Sequence, residues 1–294
     1  MTFLSGYIGI IGPPNVGKST LLNRILGRKV AIVSPKPQTT RNRIIGIYHG
    51  EGVQMVFVDT PGIHKTRTPL HQSMVASALA VFQEVDILLL MVQLGDIDRV
   101  LFFPLLKNLK RVNKPCLLLI NKIDKGPREV LLPLMAEYGR RHPFDVIIPI
   151  SALTGDGVSL LMKELKSRLL PGPPFFPEEM DTDQSEDFLI AEVIREKIYL
   201  HLRQELPYAC AVGVNRIEDV PDKNLLRISA RIYVETESQK GILIGRKGRM
   251  IQAVGRSARM DLERIFGVRI YLDLAVSVEK NWTRDTRALR RLGY

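Results

Sequence analysis

The chain has 294 residues, of which 45% are hydrophobic and 25% charged, so it has the composition of a folded globular protein long enough for two domains. No run of about 18 apolar residues occurs and the first residues lack a basic segment, so we expect neither a transmembrane helix nor a signal peptide. Two isolated cysteines exclude a disulfide framework and favour a reducing, cytoplasmic compartment.

The net charge of +11 is distributed unevenly along the chain. Residues 1–170 carry 22 basic and 12 acidic side chains, residues 171–237 carry 7 and 14, and residues 238–294 carry 13 and 5. The basic block at the end is either an ordinary solvated surface or a binding surface for a polyanion such as nucleic acid.

A proline-rich break divides the chain. Four prolines fall within residues 171–177, and neither a helix nor a central strand continues through such a segment. We therefore predict a first domain over 1–170, a linker over 171–185 and a second domain over 186–294.

In the first region, strand-like apolar runs alternate with helical patterns. The predicted strands are Tyr7–Ile11, Arg43–Tyr48, Gln54–Val58, Ile87–Val92, Cys116–Ile120 and Val146–Ile150. The predicted helices are Lys18–Leu26, Leu70–Phe82, Leu101–Val112, Arg128–Arg141 and Leu160–Leu169. This alternation predicts an α/β domain with a mostly parallel, doubly wound sheet.

The second region has a different order of elements. The predicted elements are helix Phe188–Leu206, strands Cys210–Arg216 and Leu226–Val234, helices Gln239–Ile244 and Arg249–Phe266, and strand Arg269–Val278. The order α-β-β-α-α-β predicts a smaller α+β domain.

A phosphate-binding loop follows the first predicted strand. The pattern G-x-x-x-x-G-K-[ST] is fitted by Gly12, Pro13, Pro14, Asn15, Val16, Gly17, Lys18 and Ser19, with Thr20 next to them. Backbone N–H groups and the helix N-terminus can surround phosphate oxygens there. We expect Lys18 to reach the β- and γ-phosphates, and the Ser19 hydroxyl to bind Mg²⁺.

A second motif, Asp59-Thr60-Pro61-Gly62, closes the third predicted strand. At the end of a buried strand beside a phosphate-binding loop, Asp59 can hold Mg²⁺ through water. The backbone N–H of Gly62 can reach the γ-phosphate.

Two motifs select the base. Asn121-Lys122-Ile123-Asp124 follows the fifth predicted strand, and the Asp124 carboxylate can accept two hydrogen bonds from guanine. Adenine lacks that pair of donors, so the motif favours GTP and GDP over adenine nucleotides. Ser151-Ala152-Leu153 follows the sixth strand, where a backbone N–H can support guanine O6.

A basic G-x-x-G loop, Gly245-Arg246-Lys247-Gly248, lies between two predicted helices. In KH domains such a loop clamps the backbone of four nucleotides, although here it could also be a helix–helix turn with a solvated basic face. Ile242, Leu243, Ile244 and Ile251 are the predicted groove floor, with Arg256 and Arg259 as a basic flank. Trp282 could stack on a base or pack against the domain.

The four motifs of the first region, in this order at strand ends, resemble those of translation-factor-class P-loop GTPases. The whole chain resembles the Era family of bacterial GTPases. The matching stretches are GPPNVGKS, SPKPQTTRNRI, DTPGIHK, NKID, SAL, PFFPEEMDTD, EVIREKI, ILIGRKGRMI and EKNW.

The resemblance implies a GTP-hydrolysing switch with a C-terminal type II KH domain. It implies a role in ribosome biogenesis, with binding to 16S rRNA near its 3′ end and to the 30S subunit, and with release on hydrolysis. We expect a monomer, with peripheral contact to the cytoplasmic face of the inner membrane as a further expectation.

The resemblance also implies how hydrolysis proceeds. Ile63 stands where Ras-like enzymes have a water-orienting glutamine, so another group must act. In similar GTPases an asparagine at the place of Asn15 helps to bind K⁺, which replaces an arginine finger. Thr40, rather than Thr39, would close over Mg²⁺ and the γ-phosphate. The implied catalytic set is Asn15, Lys18, Thr40 and Gly62, and the implied metal ligands are Ser19, Thr40 and Asp59.

Three stretches depart from the family pattern: Thr66-Arg67-Thr68-Pro69, Met91-Val92-Gln93 where an aspartate is commoner at the strand end, and Glu279 where a basic residue is commoner. Alternatives to the ribosome-assembly interpretation are a GTPase of tRNA modification or of another ribosomal particle, an RNA-binding module that its GTPase half only regulates, and a membrane-surface protein. His64 could be a general base, but an exposed loop histidine is the commoner case.

Overall fold

The computed structural model describes residues 2–37, 39–62, 69–95, 105–109, 112–202 and 206–294. The chain forms two compact units, one mainly of residues up to Asp183 and the other of residues from Gln184 onward, with Ile32–Thr39 and residues 69–71 grouped with the second. Predictions for Gln38, for residues 63–68, for residues 101–104, 110 and 111 of the predicted helix Leu101–Val112, and for residues 203–205 of Phe188–Leu206 lie outside the described residues.

The first unit is built on a mostly parallel sheet. Its strands are β1 Leu4–Ile11, β2 Ile44–Gly50, β3 Val53–Asp59, β4 Ile87–Gln93, β5 Cys116–Asn121, β6 Val146–Pro149 and β7 Leu170–Pro171. Their order is β2-β3-β1-β4-β5-β6, with β7 paired to β1. Among the described strands of this sheet, only β2 and β7 run antiparallel to their neighbours. The predicted fold class is confirmed for this unit.

Helices flank this sheet. They are α1 Lys18–Leu26, α2 Pro69–Glu84, α3 Leu131–Arg141 and α4 Val158–Lys166, and residues 105–109 are also helical. All six residues of β5 are buried, as are Ile87–Val92 of β4, because a parallel strand between two neighbours is covered on both faces. The loops that carry the nucleotide motifs follow the carboxyl ends of β1, β3, β5 and β6.

The segment predicted as a linker is ordered along the first unit as far as Asp183. Leu170 and Pro171 pair with Ser5 and Leu4 of β1. The buried Gln54 amide accepts hydrogen bonds from the backbone of Phe175 and Phe176 at 2.7 and 3.1 Å, which fixes the proline-rich turn. The proline-rich segment therefore follows the last strand of the first unit and is held against that unit by hydrogen bonds.

The second unit has the predicted order of elements. They are α5 Glu186–His201, β8 Ala211–Val220, β9 Leu225–Val234, α6 Glu237–Ile244, α7 Arg249–Phe266, β10 Arg269–Val278 and α8 Thr286–Arg291. The sheet order is β10-β9-β8, with β9 parallel to β10 and antiparallel to β8. Helix α8 was not predicted. The core of this unit joins α5 and α7 to the sheet through aliphatic side chains such as Ile194, Ile232 and Val254.

Neither cysteine forms a disulfide, and both are buried. Burial, together with the nearby Asp145 carboxylate, raises the pKa of the Cys116 thiol to about 12. Among the residues that the structure describes, no helix is both long enough and apolar enough to pass through a bilayer.

Candidate nucleotide and RNA sites

The phosphate-binding loop is shaped by its contact with the base-selecting motif. Gly17 has φ +103°, a conformation that side chains rarely adopt, and a Cβ there would lie 2.3 Å from Nδ2 of Asn121. The same Asn121 amide donates to the carbonyl of Val16 at 2.6 Å. A glycine is therefore required at this position both by the backbone and by the approach of Asn121.

Lys18 lies inside this loop. Its side chain is only 6% exposed, and its ammonium donates to the carbonyls of Gly12 and Pro13 at 3.1 and 2.8 Å. Burial lowers the pKa of Lys18 to about 8, although the Asp59 carboxylate opposes that shift. The structure thus keeps a cation within the loop that would surround phosphate oxygens.

Three oxygen-bearing side chains meet beside Lys18. The Ser19 hydroxyl lies 2.5 Å from Oδ2 of Asp59 and 2.9 Å from the Thr40 hydroxyl. The other Asp59 oxygen, Oδ1, is buried and has no hydrogen-bond partner among the described residues, and burial raises the pKa of this carboxyl to about 6. Hard oxygen donors with one unsatisfied carboxylate oxygen suit Mg²⁺, which takes few protein ligands and completes its shell with water and phosphate.

The two adjacent threonines have different surroundings. The Thr39 hydroxyl is engaged within its own loop, at 2.6 Å from the Ser34 hydroxyl and 2.8 Å from the carbonyl of Lys36. The Thr40 hydroxyl instead contacts Ser19. This geometry favours Thr40 over Thr39 as a metal ligand.

The motif at the end of β3 lies against the phosphate-binding loop. Thr60 donates to the carbonyl of Ile10 at 2.8 Å, which joins β3 to β1. A Cβ on Gly62 would lie 2.7 Å from Cα of Pro14, so the two loops are in direct contact. The backbone of Gly62 is therefore beside the phosphate-binding loop, as its predicted role requires.

The base-selecting residues form one hydrogen-bonded group. The Asn121 carbonyl oxygen accepts from the backbone N–H of Ala152 at 2.9 Å, and the buried Ser151 hydroxyl donates to Asp124 at 2.7 Å. Asp124 itself is exposed, so its carboxylate can meet a ligand. The structure brings the predicted phosphate and base motifs together at one edge of the sheet, where an open α/β sheet binds its ligand.

Two residues of this site were not predicted as members. Arg24 of α1 donates to the carbonyls of Ala152, at 3.3 Å, and Leu153, so it fastens the last motif to the helix that begins at Lys18. Gln93 accepts from the Lys122 ammonium at 2.7 Å. Neither contact has a local sequence signal, although Gln93 lies in the second of the three stretches that depart from the family pattern.

The G-x-x-G loop turns between α6 and α7. Gly245 and Gly248 have φ values of +71° and +75°, and Lys247 between them also has a positive φ, of +52°. Arg246 and Lys247 are exposed. The loop therefore projects two cations into solvent directly before the N-terminus of α7, where backbone N–H groups also favour anions.

An open groove of about 440 Å³ lies beside α7 in the second unit. Its lining residues are Ile251, Gln252, Gly255, Arg256 and Arg259 from α7, and Ile270, Tyr271, Leu272 and Leu274 from β10. The isoleucine and leucine side chains give the groove an apolar floor, on which nucleotide bases could pack. Arg256 and Arg259 are exposed at its rim, where they could contact phosphates. The predicted Ile251, Arg256 and Arg259 are among these residues, whereas the contribution of β10 was not predicted.

Two predicted residues have other roles. Leu243 is fully buried in the core of the second unit and cannot form the groove floor. Trp282 is also fully buried, donates to the carbonyl of Ala209 at 3.0 Å and stacks on Tyr294, so it packs against the domain. Glu279, at the third departure, forms an ion pair with Arg291 of α8.

Family profiles match both regions of the chain. A profile described as "50S ribosome-binding GTPase" matches residues 7–122, and one described as "KH domain" matches residues 205–283. GTPase Era of Syntrophus aciditrophicus is 53% identical over 99% of this chain and 95% of its own length. GTPase Era of Geotalea uraniireducens is 47% identical over 99% of this chain and 98% of its own.

Solved Era structures have the same fold over the full length. One contains Era with MgGDPNP and nucleotides 1506–1542 of 16S ribosomal RNA, with a TM-score of 0.96, 41% identity and 99% coverage of both chains. An Aquifex aeolicus Era variant bound to GDP·AlF₄⁻ gives a TM-score of 0.95, with the same identity and coverage. With its phosphate and guanine motifs assembled at one sheet edge and a KH domain after them, the chain belongs to the Era family of GTPases.

Proposed function

We propose that the protein is a GTP-dependent switch that binds 16S rRNA near its 3′ end and acts in assembly of the 30S ribosomal subunit. The observation that carries the proposal is the exposed basic loop at the start of α7 beside an apolar groove, in a chain that matches Era over its full length. The Era complex with MgGDPNP and 16S rRNA nucleotides supports the choice of both ligands.

In this proposal the phosphate-binding loop and Lys18 bind the phosphates of GTP or GDP, and Asp124 binds the base. Ser19, Thr40 and Asp59 hold Mg²⁺, which supplies positive charge at the β- and γ-phosphates when bound. The hydrogen bonds among these three side chains and the unsatisfied oxygen of Asp59 support this assignment.

Hydrolysis is proposed to depend on Asn15, Gly62 and K⁺. Asn15 has φ +61°, a left-handed conformation within the loop. We expect GTP hydrolysis to be faster in KCl than in NaCl at equal ionic strength. Asn15→Gly keeps this backbone conformation but removes the amide, and is expected to abolish the difference. Equal wild-type rates in the two salts would contradict this part of the proposal.

RNA binding is tested with a matched pair of glycine variants. Gly248 and Gly267 lie at opposite ends of α7 with φ values of +75° and +70°, and a Cβ at either meets nothing closer than 3.9 Å. Gly248→Asp and Gly267→Asp therefore add the same charge with similar backbone strain. We expect only Gly248→Asp to weaken binding of a single-stranded RNA copied from nucleotides 1506–1542, by about tenfold or more.

The same titration, made with GDP and with GDPNP, tests the switch. Tighter RNA binding in the GDPNP state, lost in Gly248→Asp, is the expected result. Equal affinities in both nucleotide states would refute the switch. Equal loss in both glycine variants would place the RNA elsewhere.

We further propose that the protein is a monomer that joins the 30S subunit and contacts the inner membrane only peripherally. The excess of basic side chains after residue 237 supports weak attraction to anionic lipid. Cosedimentation with vesicles of anionic lipid, at low and at about 0.15 M salt, tests this, because peripheral contact of this kind weakens as salt rises.

A further inference from the structure

The end of β4 contacts the base-selecting motif directly. Gln93, the last residue of β4, pairs in the sheet with Asn121 of β5. Lys122 follows in a left-handed conformation, with φ +66°. Its ammonium donates to the backbone carbonyl of Asn15 at 2.6 Å and to the side-chain carbonyl of Gln93 at 2.7 Å. The lysine thus spans the gap from the end of β5 to the phosphate-binding loop.

The Gln93 contact differs in kind from an ion pair. A carboxylate at this strand end would neutralise the ammonium, whereas an amide oxygen orients it and leaves its charge in place. Among the described residues, the charged side chains that act on Lys122 are its sequence neighbours Lys125 and Asp124, both of which are exposed. Gln93 therefore holds the Lys122 ammonium in one position and leaves its positive charge unneutralised.

We propose that Gln93 is a positioning residue for guanine nucleotide binding, which acts by holding the Lys122 side chain across the site between the phosphate-binding loop and Asp124. Gln93 itself need not touch the nucleotide. The consequence is that the strand-end departure in this chain tunes nucleotide residence time. This inference rests on guanine nucleotide binding at the site and is independent of RNA binding.

The test is a double-mutant cycle on the full-length protein, read out as association and dissociation rates of a fluorescent GDP. Gln93→Met keeps the length of the side chain but removes the acceptor, and is expected to speed dissociation about fivefold to tenfold, with association little changed. Gln93→Glu retains an acceptor but neutralises the ammonium, so it is expected to change dissociation by more than twofold and by less than Gln93→Met does. Gln83→Met, at an exposed position of α2, is the matched control.

The cycle is closed with Lys122→Met. If Gln93 acts through Lys122, then adding Gln93→Met to Lys122→Met has no further effect on dissociation. Additive effects of the two substitutions, or an unchanged rate in Gln93→Met alone, would overturn the proposal. Gln93→Asn, which withdraws the acceptor by one methylene, gives the same readout should Gln93→Met fail to fold. Absence of GDP binding by the wild type would instead refute the nucleotide site itself.

Discussion

The proposed nucleotide site and the proposed RNA site are arranged for anionic ligands by opposite means. Lys18, Asn121 and Ser151 are buried and already hydrogen-bonded to protein groups. Arg246 and Lys247 are exposed on a tight loop. Removing one partner of a buried hydrogen bond leaves another polar group unsatisfied, whereas exposed charges act additively and are screened by salt. The first site is therefore part of the folded core, whereas the second is an exposed surface whose affinity for anions changes in small steps as single charges are removed.

The largest effect is expected from Asn121→Ala. This substitution leaves the carbonyl of Val16 and the N–H of Ala152 without their partner, in a buried setting. We expect GDP to bind about 100-fold more weakly or worse, and the unfolding free energy to fall by about 2–4 kcal/mol. Calorimetry and denaturant titration measure the two quantities. Asn113→Ala, at an exposed position, is the control, and a loss of affinity equal in both variants would contradict the prediction.

Arg246→Gln and Lys247→Gln should have intermediate and separable effects. Each is expected to weaken RNA binding about threefold to tenfold and to lower the slope of log affinity against log salt by about 0.7, because each removes one phosphate contact to a single strand. GDP affinity should not change. Arg140→Gln, on the exposed part of α3, is the control. A salt slope that stays at the wild-type value would show that these side chains do not meet phosphates.

Arg24→Met should have the smallest effect on nucleotide binding, because Arg24 lies at the solvent-exposed margin of the hydrogen-bonded group around Asn121. Arg24 holds the carbonyls of Ala152 and Leu153, but it lies partly in solvent, where a lost hydrogen bond is replaced by water. We expect GDP dissociation to quicken about threefold, with RNA binding unchanged. Lys163→Met on α4 serves as the control. A loss of GDP affinity as large as that of Asn121→Ala would contradict the expected difference between buried and exposed hydrogen bonds at this site.

The arrangement of the nucleotide site could be predicted because its motifs are local and end at strand termini. A glycine-rich loop between a strand and a helix defines its own conformation, and parallel strands bring the other motifs to the same edge. Gln93 and Arg24 could not be predicted in this way. Their contacts join elements far apart in sequence, and glutamine and arginine are ordinary residues at a strand end and in a last helical turn.

The residues of the proposed RNA site are harder to predict from the sequence, because tertiary packing decides which of them face the groove. Ile242, Leu243 and Ile244 are three consecutive apolar residues, and the pattern does not tell which of them faces the core; the structure buries Leu243 and exposes Ile242. Trp282 follows the last strand without any periodic context. The strand β10 alternates apolar and polar residues, but only the packing against α7 shows which residues line the groove. Roles in RNA binding for Gly245, Arg246, Lys247 and Gly248 remain predictions.

The hydrogen bonds of Asn121 have a consequence for synthesis of the chain. One side-chain amide joins Val16 near the start of the first unit to Ala152 near its end. A nascent chain that stops before Ala152 has emerged therefore carries the whole phosphate-binding loop but lacks part of the network that shapes it. Because a ligand stabilises only the state that binds it, we expect GTP or GDP to stabilise this intermediate less than it stabilises the complete unit. Stabilisation of the first unit by nucleotide should therefore reach its full value only after Ala152 has emerged and folded.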